Sequence, residues 1–400
     1  MQGLDCGTMF LVKSSLDEID ETDVSFEIER NVFAEVRNTL DDPEQVLKEN
    51  NYAYVKHKDK YYVVGEDVFK VHAIESLFKK SGGSSYFSDV RRPMKDGLIN
   101  TAEDKMAIAI IQAIIKQLVG KPKYENEVLC FCAPGDPINS ESNVIFHRTM
   151  LHSFISSLGY HAECINEALA IIYSECPVAD DPDEPDGKAK FSGISLSFGS
   201  GMVNCALSWK QIPLLNFSMT HSGDWIDQEA AKIAGCDVAT ITKFKEKHLD
   251  LDNIDTSDVK QMALDIYYQA MIKNAMTHFA SKFQNLDDNE KRDTPLEIVV
   301  AGGTASVPGF VSKFESVLEQ IDLPFAVKCV RLAKNPLYAV SNGCLVKAIS
   351  IENKLNQNKT KTKTAIKPEP KQESQKQDIS EETSKQIKEK APQKIKLNRE

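Results

Sequence analysis

The chain has 400 residues, of which 42% are hydrophobic and 27% charged, and its net charge is −11. These are the proportions of a soluble folded protein long enough for two or more domains, and no apolar run approaches the roughly 18–20 residues that cross a bilayer. The charge is uneven: residues 354–400 hold thirteen basic and seven acidic side chains, leaving −17 on residues 1–353, which argues against nucleic-acid binding through that acidic body.

Nothing at the N-terminus reads as a basic-led signal sequence, so the chain is expected in the cytoplasm. The first strand is expected to begin almost at residue 1, so no N-terminal amphipathic anchor is expected; peripheral membrane contact through an apolar loop stays open. The nine cysteines are scattered and form no C-x-x-C, so they read as buried thiols in a reducing compartment rather than a zinc site.

Taken in order, "GLDCGTMFLVKSS" (3–15) predicts a strand, a tight turn and a second strand, and "YAYVKHKDKYYVVG" (52–65) a hairpin about a charged turn. "KSGGSSYFSD" (80–89) is a flexible joint. "TAEDKMAIAIIQAIIKQLVG" (101–120) predicts a helix opening at Thr101, with Asp104 three residues on, and closing at Gly120. "EVLCFCAPGD" (127–136) is a buried strand, "NVIFHRTMLHSFISSLGY" (143–160) a helix closed by Gly159, and "INEALAIIYSE" (165–175) a further helix. "VADDPDEPDGKAK" (178–190) is an acidic exposed loop. "ISLSFGSGMVNCALSW" (194–209) is a strand, glycine turn and strand; residues 258–285 form a long helix; "LEIVVAGGTASVPGFVSKFESVLEQI" (296–321) is a strand, glycine turn and helix. The last segment, 354–400, has no aromatic residue and is expected to be disordered. Alternating strands and helices indicate an α/β fold. No internal repeat of 20–50 residues is evident.

Three glycine turns follow three strands: "LDCGT" (4–8), "SFGSG" (197–201) and "AGGTASVPG" (301–309). Each alone is an ordinary turn. Together they offer backbone without side chains in the way and N–H groups for an anion, as two phosphate hairpins and a third turn for adenine and ribose. The chain has no G-x-x-x-x-G-K-[ST] and no G-x-G-x-x-G opening a helix, so other nucleotide folds fit poorly.

The order of these segments resembles the actin and heat-shock-chaperone ATPase superfamily. "GLDCGT" resembles its first phosphate loop, "INEALAIIYSE" its first connecting helix, "LSFGSGM" its second phosphate loop, "VVAGGTASVPGF" its adenosine motif and "KNPLYAVSNGCLVKAI" (334–349) its second connecting helix. "SDVRRPMKDGLIN" (88–100) and "HSGDWIDQEAAK" (221–232) are similar to segments of MreB-type bacterial actins. The resemblance covers about residues 1–350. It implies a two-lobed fold of duplicated ribonuclease-H-like domains, each with a small subdomain. Lobe I would be 1–190 with an insertion near 28–90, lobe II 191–333 with a helical insertion near 228–290. A return helix would follow at 334–352, then a disordered basic tail from 353 to 400.

By the same resemblance, ATP and Mg2+ are the expected cofactors. Asp5 would organise the magnesium through its waters, and Glu167 would position the attacking water. Gly7 and Thr8 would line the first phosphate loop, Ser197, Gly199, Ser200 and Gly201 the second. Gly302, Gly303 and Thr304 would lie along the adenosine, with Lys245 and Glu246 touching adenine or ribose. The plainer readings are a turn-forming Asp5, a helix-start carboxylate at Glu167, and an exposed charged helix face at Lys245 and Glu246. Asp224 and Asp227 would support the second hairpin or cap the helix after it. The family usually has an aspartate where this chain has Ser197, and a small hydroxyl residue where it has Met202; the expected consequence is weaker magnesium organisation and slow hydrolysis. Whether the chain is an active ATPase stays open. A nucleotide-driven filament protein is the leading expectation. A non-polymerising adaptor that binds ATP and recruits a partner, through the tail for example, is the alternative, with a sugar or acetate kinase third.

Overall fold

The computed structural model describes residues 1–17, 23–37, 42–79, 85–141, 144–176, 179–180, 188–189, 191–287 and 294–365. Most of the acidic loop 178–190, the start of the joint at 80–84 and the tail beyond 365 therefore lie outside the described residues. The chain divides into two compact units, Met1–Asn356 and Gln357–Glu400. Of the second, only helical backbone through Ala365 is described; both lobes belong to the first.

The first lobe opens with β1 (Gln2–Cys6), β2 (Phe10–Leu16) and β3 (Val24–Arg30). A small subdomain comes next: β4 (Phe33–Glu35), α1 (Pro43–Glu49), β5 (Tyr54–His57), β6 (Lys60–Val64) and α2 (Asp67–Lys79), with its sheet ordered β4-β6-β5. The short pair β7 (Met94–Lys95) and β8 (Leu98–Ile99) leads into α3 (Ala107–Val119), β9 (Val128–Ala133), α4 (Val144–Ser157), β10 (His161–Asn166) and α5 (Glu167–Glu175). The lobe's main sheet runs β10-β9-β1-β2-β3; β1–β2 and β2–β3 are antiparallel, while β1–β9 and β9–β10 are parallel. Every residue of β9 is buried, as expected of a central strand with parallel neighbours.

After the two-residue strands β11 (Ala179–Asp180) and β12 (Lys188–Ala189), the second lobe repeats the plan. Its elements are β13 (Gly193–Phe198), β14 (Val203–Trp209), β15 (Ile212–Met219), α6 (Gly223–Ala234), α7 (Val238–His248), α8 (Val259–Gln284), β16 (Leu296–Ala301), α9 (Phe310–Leu318), β17 (Val327–Leu332) and α10 (Ala339–Ala365). The sheet order is β15-β14-β13-β16-β17, again two antiparallel pairings followed by two parallel ones. The internal symmetry is thus one of whole lobes, beyond the reach of a search for short repeats.

Helices α5 and α10 pack between the sheets. Ala170–Ile172 of α5, Ala339, Val340, Cys344 and Ala348 of α10, Cys130 and Cys132 of β9 and Val299 and Ala301 of β16 share one apolar cluster. The two helices cross where Gly343 lies on Ala170; a Cβ there would fall 1.8 Å from the Ala170 carbonyl oxygen, so only glycine allows the approach.

Two boundaries differ from the sequence reading. The helix expected from Thr101 starts at Ala107, because Asp104 is used otherwise: its carboxylate accepts from the Met106 amide (2.9 Å) and from Arg91 (2.7 Å). The final helix continues to Ala365, well inside the segment read as disordered from 353, since no Gly or Pro lies between Gly343 and Pro368.

Candidate functional site

A cavity of about 340 Å3 lies between the lobes, within the range of roughly 300–1,000 Å3 common for small-molecule sites. Its walls include Asp5, Gly7, Thr8, Glu167, Ser197, Gly199, Ser200, Gly201, Lys245, Glu246, Gly302, Gly303 and Thr304. All the site residues chosen from sequence are therefore brought together, from segments far apart along the chain.

The turn after β1 and the turn after β13 face each other. Gly201 is buried against Thr8: a Cβ at 201 would sit 2.3 Å from Thr8 Oγ1 and 2.4 Å from the Gly97 amide nitrogen. The second turn is held from behind by its carbonyls. Gly199 O accepts from the Gly223 amide (3.1 Å) and from Thr304 Oγ1 (2.9 Å), and Ser200 O accepts from the Asp224 amide (2.7 Å) and from Ser222 Oγ. Thr304 is thus tied to the turn after β13 as well as lining the cavity. Gly302, at φ +98°, occupies a place where a Cβ would meet the Phe198 carbonyl at 2.3 Å, whereas a Cβ at Gly303 would make only an ordinary 3.8 Å contact with Leu337 Cδ1.

At the base of the cavity lie two carboxylates. Asp5, near the end of β1, accepts from Cys132 Sγ at 3.3 Å. Glu167 begins α5, whose N-cap Asn166 accepts from the Ala168 and Leu169 amides. Its Oε1 accepts from Ser197 Oγ at 2.7 Å and its Oε2 from Asn204 Nδ2 at 2.9 Å. Burial raises both acids above the usual carboxylate range; the Asp5 charge raises Glu167 further, and the Cys132 hydrogen bond partly offsets the rise at Asp5. The site therefore favours additional positive charge. That fits a hard cation such as magnesium, which keeps several waters and takes its remaining ligands from one or two carboxylates and substrate phosphates. No cluster of three or more His, Cys, Asp or Glu that could hold a metal occurs among the described residues.

Three placements refine the sequence reading. Lys245 is buried and pairs with Asp227 Oδ1 at 2.7 Å, so it is no exposed helix face; Glu246 lies beside it, exposed, on the cavity wall. Asp224 binds Arg92 Nη1 at 3.0 and 2.8 Å, and Asp227 also accepts from Thr242 Oγ1. Met202 packs with Leu98 and Val144 of the first lobe. Sequence reasoning missed Arg92, Cys132 and Asn204. Only Asn204 left a signal there, as a polar residue inside the apolar strand "VNCALSW".

The fold and this cavity define the chain as a protein of the actin-like ATPase fold, similar to MreB and MamK. A family profile described as Volactin matches residues 1–348, and the chain belongs to that family. Among solved structures, MreB5 of Spiroplasma citri bound to AMPPNP is 13% identical with a TM-score of 0.60, covering 89% of this chain and 98% of that one. A MamK double helical filament is 16% identical with a TM-score of 0.59, covering 87% and 98%. At such identities the likeness concerns the fold. A search of curated proteins found no match. No described helix is long and apolar enough to cross a membrane.

Proposed function

We propose that the chain is an actin-like protein that binds ATP with magnesium between its lobes and, through nucleotide-dependent closure, forms or regulates cytoskeletal filaments. The observation that carries this is the convergence of three glycine turns, Asp5 and Glu167 on one cavity between two sheets of the same topology. The lobes are taken as 1–190 and 191–333, with 334–352 returning to the first.

Backbone amides of the turns at Gly7–Thr8 and Gly199–Gly201 would hold the phosphates, while Gly302, Gly303, Lys245 and Glu246 would border the nucleoside. Asp5 would hold the magnesium through its waters, and magnesium, when bound, would offset the charge of the phosphate oxygens. Glu167 would orient a water in line with the γ-phosphorus. As the water oxygen bonds to phosphorus, the bond to the β–γ bridging oxygen breaks, giving ADP and phosphate, and the water's proton passes by way of Glu167 to solvent. Self-association is supported by the MamK relative, described as a filament. Phosphate release from Mg-ATP, measured against protein concentration alongside sedimentation, tests the reading. A threshold concentration common to both signals is expected. Phosphate release without any sedimenting species would leave an ATPase that does not polymerise; binding without release would leave an adaptor.

A further inference from the structure

We propose that Ser197 and Asn204 form a two-donor clamp that sets the position of Glu167, so that Asn204 is a positioning residue and Ser197 its required partner rather than a weakened aspartate. This rests on the hydrolytic reading above. Ser197 and Asn204 are directly opposite each other on β13 and β14, and each is 1% exposed. One donates to each oxygen of the same carboxylate, at 2.7 and 2.9 Å. The orientation of the amide follows from its other end, because Asn204 Oδ1 accepts from the Gly135 amide at 3.0 Å and so turns Nδ2 towards Glu167.

The clamp crosses the base of the cleft. Glu167 belongs to the first lobe and both donors to the second, so the carboxylate's orientation follows the position of the second lobe's hairpin. An aspartate at 197 could not serve in this arrangement. It would put a second carboxyl against Glu167 Oε1 in place of the hydroxyl donor. Since two carboxylates at that range do not both ionise, the pair would hold a proton between them and Glu167 would no longer be a free carboxylate there. Asn204→Asp would do the same at Oε2. Ser197 and Asn204 are therefore chemically matched to each other and to Glu167, and adding the carboxylate expected at 197 harms the site instead of repairing it.

The test uses the full chain with Ser197→Thr, Ser197→Ala, Ser197→Asp, Asn204→Ala and Asn204→Asp. Three quantities are read: ATP affinity with a fluorescent analogue, phosphate release between about pH 6 and 9, and the carboxyl infrared band that Glu167→Gln removes, titrated without nucleotide. Affinity should change less than about threefold while kcat falls about tenfold or more in Asn204→Ala, Asn204→Asp and Ser197→Asp. Ser197→Thr, which keeps the hydroxyl, should stay within about threefold of the natural chain. Loss of a donor should move the Glu167 band's midpoint upward, furthest in Asn204→Asp. Ser197→Ala removes only one oxygen, so it reports the same band shift should an Asn204 variant fail to fold. A faster Ser197→Asp, an unchanged kcat in Asn204→Ala, or an unshifted band would each overturn the clamp. A natural chain that binds ATP but releases no phosphate would overturn the positioning role. A chain that binds no ATP refutes the function proposed above, and the infrared titration then still decides whether the clamp exists.

Discussion

The two hairpins that face each other across the cavity occupy the same place in the same topology, yet one presents an acid and the other presents donors. Leu4-Asp5-Cys6-Gly7-Thr8 and Leu196-Ser197-Phe198-Gly199-Ser200 keep the leucine, the glycine and the hydroxyl residue. The cross-strand pairs differ: Asp5 lies opposite Val12, Ser197 opposite Asn204. The first lobe thus supplies the two carboxylates at the base of the site, Asp5 and Glu167, and the second lobe's hairpin holds one of them in place. Two copies of one architecture have taken unlike halves of a single task, one carrying charge and the other directing it.

The largest expected break in this division is at Glu167. Glu167→Gln keeps the side chain's shape and removes the acid, so phosphate release should fall about a hundredfold or more while ATP affinity changes little. Asp5→Asn comes next. It should raise the magnesium concentration needed for ATP binding about tenfold or more, whereas Ser197→Ala should leave it nearly unchanged, because the cation-facing charge belongs to the first hairpin. Magnesium titrations of ATP binding separate the two. Gly201→Ala tests where the hairpins meet: the added methyl collides with Thr8 and the Gly97 backbone, and urea unfolding should show a loss of about 1–3 kcal/mol.

The smallest effect is on pH dependence. Asp5 and Glu167 have folded pKa values above their ordinary ones, so the folded protein binds more protons than the unfolded chain between those values. Their contribution to stability is full below the ordinary carboxylate range and is lost as pH rises through the raised values. Without nucleotide, the melting temperature of Glu167→Gln should rise relative to that of the natural chain as pH goes from acid to mildly alkaline, because the variant no longer loses the Glu167 contribution.

What could be read from the sequence is what is local. Gly7, Gly199, Gly201 and Gly302 announce tight turns after apolar strands, and Asn166–Glu167 announces a helix start, because cap and turn chemistry act over a few residues. Relations between distant segments were hidden. Asn204 looks like an awkward polar residue in a strand until Glu167, far away in sequence, supplies its partner. The pairing of Lys245 with Asp227 and of Arg92 with Asp224 likewise needs the fold. The lobe duplication was expected only through the family resemblance and left no internal repeat, because sheet order is set by which faces are apolar and many sequences satisfy the same pattern. The misplaced start of α3 shows the reverse failure, in which a local capping signal at Thr101 yields to the tertiary ion pair of Asp104 with Arg91.

The central claim, that these unlike hairpins together hold a nucleotide's phosphates, is tested most directly by calorimetric titration of the natural chain with Mg-ATP. Saturable binding of one nucleotide per chain is predicted, weakened by chelating the magnesium and by Asp5→Asn. No binding, or binding indifferent to both magnesium and Asp5, would contradict it.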